Sequence, residues 1–321
     1  MPEQGEPKSV PELTVAGHRW PVSAGSNLLD ALNDAGLRVP YSCRAGSCHA
    51  CMVRCVRGGV LDVRPEALAE ERRAQGWRLA CQCRVVEDLE VQLFDPSREG
   101  LPAQVQAADW LAADVLRLRL LPEREVRYQP GQHLLLWNAA GVARPYSLAS
   151  LPGEDPWLEF HIDCRHPGAF SGAARGLQVG DRLRLGALHT GALHYESDWS
   201  ERPLWLLAAG TGLAPLWGLL REALRQHHRG PIRVIHLAHD AAGHYLAEPL
   251  QALATAYPQV QLQLVAASEL AVVLAELRLV SRQTVALLCG SPASVESFAR
   301  RLFLIGVPRN QVLADTFLPH S

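Results

Sequence analysis

The chain has 321 residues, 48% hydrophobic and 20% charged, with a net charge of −2. That length suits two or three domains, and the composition is that of an ordinary globular protein rather than a disordered or fibrous one. The near-neutral total announces no nucleic-acid surface, and no apolar run reaches the roughly 18–20 residues of a membrane span. The Met1–Lys8 run lacks a basic stretch followed by an apolar one, so a cytoplasmic location is expected, with cysteines reduced or metal-bound.

Cys43, Cys48 and Cys51 stand in Tyr-Ser-Cys-Arg-Ala-Gly-Ser-Cys-His-Ala-Cys (41–51), and Cys81 follows. Cys-x4-Cys-x2-Cys with a distant fourth cysteine is the plant-type ligand pattern for a [2Fe–2S] cluster. Ala45, Gly46 and Ser47 are small, so backbone N–H groups can approach the sulfurs, and Gly46 can take positive φ. A structural zinc site usually has two Cys-x2-Cys or Cys/His knuckles, and only Cys48 and Cys51 make one here, unless Cys81 is matched with Cys83 at one spacer. A Rieske centre needs two histidine ligands, and His49 lies between cysteines rather than in a Cys-x-His pair. Pro65–Gly76 reads as a helix before the last ligand, and Val91 and Leu93 alternate as a strand. The segment from about Leu13 to Phe94 resembles plant-type ferredoxin domains over its whole length. His49, where family members often carry Gly or Ser, is expected to face solvent. Cys55, Cys83 and Cys164 read as packing residues.

The Pro-, Gly- and charge-rich run 95–102 marks a boundary. Short strands are expected after it at Val105–Ala108, Val115–Leu121, Gln132–Trp137, Leu158–Ile162 and Arg182–Leu185, with a short helix at Phe170–Gly176. That spacing suggests a small antiparallel barrel. Arg144-Pro145-Tyr146-Ser147 ends a loop within it. A flavin would use these groups: the Tyr ring against the isoalloxazine, the Arg on the pyrophosphate, the Ser hydroxyl at the redox edge. Gly168 to Ser171 opens the short helix, where free N–H groups suit an anion.

From about Glu201 buried strands alternate with helices. Strands are expected at Leu204–Ala209, Ile232–Leu237, Val260–Val265 and Val285–Cys289. Helices are expected at Leu213–Gln226, Leu246–Ala256, Leu270–Leu277 and Ser294–Ile305. This alternation implies a parallel doubly wound α/β sheet. Gly210-Thr211-Gly212-Leu213-Ala214-Pro215 joins a strand to a helix, as a phosphate loop would. It is not the GxGxxG fingerprint, because Pro215 replaces the last glycine. Cys289-Gly290-Ser291-Pro292 follows another strand at the same sheet edge, where ligands bind in such folds. His227-His228 reads as a cationic helix C-cap.

Taken in order, these four motifs resemble those of the ferredoxin–NADP⁺ reductase superfamily. With the ferredoxin segment, the chain resembles the single-chain reductases of bacterial oxygenases. The resemblance implies a β-grasp ferredoxin domain (1–97), an antiparallel β-barrel FAD domain (98–200) and an α/β NAD(P)H domain (201–321). It implies nicotinamide docking over Cys289 and electron flow from NAD(P)H through FAD and the cluster to a partner protein, expected to be an oxygenase component. Ser147, Cys289 and Asp315 would border the flavin–nicotinamide contact. Asp315-Thr316-Phe317 stands where relatives often carry Glu-x-Phe, with Phe317 covering the ring. Asp240 would accept from a ribose hydroxyl and repel a 2′-phosphate, which favours NADH. A non-oxygenase acceptor, of dehydrase or small-molecule flavin or cobalamin type, and a redox sensor without turnover stay open.

Overall fold

In a computed structural model the described residues are 10–41, 43–166 and 168–318. The Met1–Lys8 run and Ser42 of the cysteine segment lie outside them. The chain divides into two units, one ending at Glu99 and one beginning at Gly100. No helix among the described residues is long and apolar enough to cross a membrane.

The first unit contains β1 (Glu12–Val15), β2 (His18–Pro21), α1 (Leu28–Asp34), β3 (Met52–Arg57) and β4 (Val60–Asp62). It continues with α2 (Glu70–Ala74), β5 (Trp77–Leu79), β6 (Cys83–Val85), β7 (Leu89–Gln92) and α3 (Pro96–Glu99). Its main sheet has the order β2-β1-β7-β3-β5, with β1 and β7 parallel. Leu28, Leu29 and Leu32 of α1 share one core with Leu13, Val53, Leu89 and Val91 of the strands. Each such side chain contributes about 1.5–3 kcal/mol on burial. This is the β-grasp arrangement. Asn27 caps α1 by accepting from Leu29 N and Asp30 N, and its Nδ2 donates to Cys81 O at 2.9 Å. The cap therefore also anchors the fourth cysteine.

The helix expected over Pro65–Gly76 is two pieces, a 3₁₀ turn at Pro65–Ala67 and then α2. Between them Leu68 is extended and buried, so burial of one apolar side chain outweighs an unbroken helix. Gly76, at φ +87°, ends the segment as expected.

The second unit opens with β8 (Leu101–Ala112), β9 (Val115–Pro122), β10 (His133–Trp137), β11 (Ala143–Ser147), β12 (Leu158–Asp163), α4 (Ala169–Ala174) and β13 (Arg182–His189). The six strands run antiparallel in the order β11-β10-β13-β8-β9-β12. The two end strands approach where Ala149 N–H donates to Glu159 O at 2.8 Å, which curls the sheet into a barrel. Arg144-Pro145-Tyr146-Ser147 is not a loop end but β11. It lies at the end of the sheet order, where a proline without an N–H is tolerated.

The remainder alternates β14 (Leu204–Ala209), α5 (Leu213–Arg225), β15 (Ile232–Ala238), α6 (Ala247–Ala256), β16 (Val260–Ala266), α7 (Leu270–Glu276), β17 (Val285–Gly290), α8 (Pro292–Leu304) and β18 (Val312–Thr316). All pairings are parallel, in the order β16-β15-β14-β17-β18. The order reverses between β14 and β17, the switch point at which ligands bind in open α/β sheets. β18, which the sequence pattern does not announce, brings Asp315 beside Cys289 on β17.

The cationic cap expected at His227-His228 is instead a backbone cap. His227 takes φ +57°, its N–H bonds Leu224 O, and His228 N–H bonds Ala223 O. His228 is buried, burial lowers its imidazole, and Nδ1 meets Tyr195 Oη at 2.9 Å.

Candidate functional site

The four cysteines of the first unit come together. The segment 43–50 carries positive φ at Arg44, Gly46 and His49, which turns successive N–H groups inward. Ala45, Ser47 and Cys48 N–H groups each lie 3.3 Å from Cys43 Sγ, and Cys43 N–H lies 3.4 Å from Cys48 Sγ. The thiols associate in pairs, Cys43 with Cys48 and Cys51 with Cys81. The Cys48 thiol holds Cys43 down to about 4, and the Cys51 thiol, with Gln82, holds Cys81 down to about 7. Cys48 and Cys51 are pushed up, first by those same partners and then by burial. Among the described residues no group of three or more His, Cys, Asp or Glu side chains is disposed to hold one metal ion. Two thiol pairs suit two irons, each taking two sulfurs, so the donor set fits a binuclear cluster.

Outer contacts fix this segment. Arg44 pairs with Asp30 at 2.7 Å and covers the Tyr41 ring at 4.7 Å, and Arg64 Nη1 donates to Ala45 O at 2.8 Å. His49 does not face open solvent: it is half-buried, and burial lowers its imidazole. Cys83 is fully buried and Cys55 half-buried, as packing residues would be.

In the barrel, Tyr146 lies against Phe170 with ring centroids 5.2 Å apart. Arg144, Pro145, Tyr146 and Ser147 are all half-exposed although Ala143 and Leu148 on either side are buried, a ledge of the kind a planar flavin would cover. Ser147, His133 and His189 stand in a row across β11, β10 and β13. Gly168 N–H donates to Ser171 Oγ at 3.0 Å, and that hydroxyl donates to His166 O at 3.2 Å. These two groups satisfy each other within the turn.

The two glycine-bearing loops that follow β14 and β17 converge at the switch point. Gly210–Gly212 forms a 3₁₀ turn leading into α5, with Pro215 in its first turn and Thr211 buried. A Cβ on Gly212 would stand 2.2 Å from Cys289 O, and one on Gly290 would stand 2.7 Å from Ala209 Cβ. The two loops thus meet glycine against backbone. Cys289 is fully buried, which pushes its thiol well up, with Asp315 adding to the effect. It is a protonated packing surface rather than a nucleophile. Asp315 Oδ1 accepts from Ala192 N at 3.1 Å, so its carboxylate is tied to the segment after β13. Phe317 N–H donates to Gly290 O at 2.8 Å, and its ring packs on the core that contains Cys289. Asp240 follows β15 and accepts from Gly243 N at 3.1 Å.

Residues 13–86 match the 2Fe-2S iron-sulfur cluster binding domain, and residues 206–300 match the oxidoreductase NAD-binding domain. The terephthalate 1,2-dioxygenase reductase component 1 of Comamonas sp is 31% identical over 248 residues, 75% of this chain and 73% of that relative. The ferredoxin–NAD(P)⁺ reductase component of the naphthalene 1,2-dioxygenase system of Pseudomonas putida is 30% identical over 321 residues, 93% of this chain and 95% of the relative. The chain belongs to the ferredoxin–NAD(P)⁺ reductase family. Among solved structures, the Amycolatopsis cytochrome P450 reductase GcoB aligns with a TM-score of 0.66 at 28% identity, covering 97% of this chain and 100% of that one. This reductase is an NAD(P)H-dependent oxidoreductase whose cofactors are FAD and a [2Fe–2S] cluster.

Some residues around the Gly210–Gly212 turn escape sequence reasoning. Arg165, with Nε on Asp163 Oδ1 and Nη2 on Asp163 Oδ2, brings Nη2 to 3.8 Å from the Cβ position of Gly210, so a guanidinium lies beside the glycine turn. His236 Nε2 meets Gly210 O at 3.2 Å from β15. Its ring packs edge-on to Tyr245, which packs edge-on to His161. His161 bonds Glu159 at 3.0 Å, and Glu159 also binds Arg119 at 2.6 Å. A buried polar row therefore links barrel strand β12 to the Gly210–Gly212 turn. Isolated histidines in sequence carry no signal for it.

Burial alone would raise the Glu159 carboxyl, but His161 and Arg119 outweigh it and hold it down to about 2 from an ordinary 4.5. Its stabilising effect is complete above that ordinary value and is lost as pH falls through the folded one. In Glu159→Gln, the unfolding midpoint should therefore depend less on pH between about 4.5 and about 2 than in the parent. Urea titrations across that window measure this, and equal pH slopes would contradict it.

Proposed function

We propose that this reductase draws electrons from NADH and delivers them singly to an oxygenase component. The observation that carries the reading is the presence in one chain of paired cluster thiols and convergent nucleotide loops, an outlet and an inlet for electrons. Relatives that span nearly the whole chain are named as reductase components of dioxygenase systems. Bound FAD supplies the conversion between hydride transfer and single-electron transfer that neither NADH nor a one-electron cluster can make alone.

The residues divide this work. Cys43, Cys48, Cys51 and Cys81 ligate the cluster. Tyr146 lies against the flavin, Arg144 binds its pyrophosphate, Gly168 and Ser171 brace the turn that opens α4, Pro145 keeps the strand extended, and Ser147 borders the redox edge. Gly210, Thr211, Gly212 and Pro215 shape the turn for the nicotinamide dinucleotide. Cys289 and Gly290 lie buried beneath the Gly210–Gly212 turn and support the place where the nicotinamide docks, with Asp315 and Phe317 beside them. The domains are taken as 1–97, 98–200 and 201–321. Thiolate ligands require a reducing compartment, which supports a cytoplasmic location.

The choice of NADH rests on Asp240, an exposed carboxylate after β15 where a 2′-phosphate would meet like charge. Asp240→Asn keeps an acceptor for Gly243 N and removes the charge. It should raise kcat/KM for NADPH relative to NADH by about tenfold, the equivalent of 1.4 kcal/mol. An unchanged ratio would remove Asp240 from cofactor choice. Anaerobic reconstitution with candidate oxygenases tests the acceptor. NADH-dependent substrate oxidation that needs both proteins supports it. Turnover only with a dehydrase or with free flavin or cobalamin would replace it.

A further inference from the structure

Gln82 follows the fourth cysteine, and its side chain is buried at 6% exposure. Nε2 donates to Cys81 Sγ at 3.1 Å and to Arg44 O at 2.9 Å. A ligand thiolate and a backbone carbonyl are both acceptors, so the two N–H bonds of one amide are used. Turning the amide over would aim Oε1 at both acceptors, so the chemistry of the partners fixes its orientation. The backbone is held as well: Gln82 O accepts from Val63 N at 3.0 Å, and Cys81 O from Asn27 Nδ2 at 2.9 Å. Gly46 makes room above the amide. A Cβ there would stand 3.3 Å from Gln82 Cγ and 3.2 Å from Ala67 Cβ. A rigid, desolvated N–H dipole therefore points at one ligand sulfur while clasping the segment that bears the other three cysteines.

We propose that Gln82 is a positioning residue for the cluster, raising its reduction potential through the amide bond to Cys81 Sγ. The inference rests on the cluster reading above. One-electron reduction adds a negative charge that spreads onto the ligand sulfurs, and no proton is required. A donor aimed at sulfur stabilises the reduced form more than the oxidised one. Burial strengthens the effect, because little water is present to replace the lost donor. The backbone N–H groups of Ala45, Ser47 and Cys48 act on Cys43, whereas Gln82 brings a side-chain donor to Cys81, beside the backbone N–H of Gly46.

The test is anaerobic spectroelectrochemical titration of the full-length holoprotein, with Gln82→Leu and Gln82→Glu beside the parent. Leu keeps the volume and removes the donor. Its cluster midpoint should shift to more negative potential by about 59 mV, a tenfold change in a one-electron equilibrium. The flavin midpoint should stay unchanged, and the electron paramagnetic resonance of the reduced cluster should alter. Glu keeps the shape and turns an acceptor toward both partners, so its shift should be more negative than that of Leu. An unchanged cluster midpoint in either loaded variant overturns the proposal. If the parent loads and neither variant does, the role is assembly and the tuning proposal is likewise overturned. A parent chain without a cluster signal would refute the cluster itself rather than the role of Gln82.

Discussion

Replacement of Cys48 by serine should abolish the cluster signal while leaving NADH-dependent reduction of a flavin-level artificial acceptor in place. Cys48 is half of the Cys43–Cys48 pair, and its sulfur accepts from Cys43 N–H at 3.4 Å. A serine hydroxyl is a poor stand-in for a soft thiolate on iron. Loss of a group that merely orients a metal ligand costs on the order of 10–100-fold, and loss of the ligand itself should exceed that. Delivery of electrons to a protein acceptor should fall to background, because the outlet is gone while the inlet is untouched. Visible absorbance, iron content and two parallel assays measure this. A Cys48→Ser chain that keeps its cluster and its protein-acceptor rate would show that Cys48 is not a ligand.

Gly212→Val should act on the opposite end of the electron path. The new Cβ would meet Cys289 O at 2.2 Å, Cys289 C at 2.4 Å and Gly290 N at 2.7 Å. These are backbone atoms of a strand end that pairs with both β14 and β18, so they cannot rotate away. Overpacking of this kind costs about 1–3 kcal/mol in stability. Relief requires the glycine turn and the Cys289 loop to separate, which removes the surface assigned to the dinucleotide. The expected result is a large rise in KM for NADH with cluster content unchanged, since the first unit is a separate body of contacts. Steady-state kinetics and urea unfolding read the two effects. A parent-like KM would contradict the shared-loop geometry.

Features set by local chemistry were legible in the sequence. Thiolates at a four-and-two spacing have few uses, and alternation of buried strands with helices admits few folds. Features set by distant partners were not. β11 hid because Arg144-Pro145-Tyr146-Ser147 lacks a strand pattern and pairs through β10 alone in the sheet. β18 hid because its identity comes from its register on β17. Asp315 reads in sequence as a shortened Glu near the flavin. In the fold its carboxylate meets the N–H of Ala192, 123 residues away. Gln82 and His49 follow the same rule: each sits beside a recognisable cysteine, yet its burial depends on Ala67 and its neighbours folding over the ligand segment. The row from Glu159 to His236 needs both halves of the second unit before any member acquires a partner.

One chain thus carries electrons from a nicotinamide donor through flavin to the cluster proposed to be held by Cys43, Cys48, Cys51 and Cys81. Anaerobic titration of the purified holoprotein with NADH follows that path through visible absorbance and the paramagnetic signal of a reduced cluster. Flavin and cluster absorbance should both bleach, and the paramagnetic signal should grow with added NADH. Absorbance that stays unbleached at both centres, or a flavin that bleaches while the cluster remains oxidised, would contradict it.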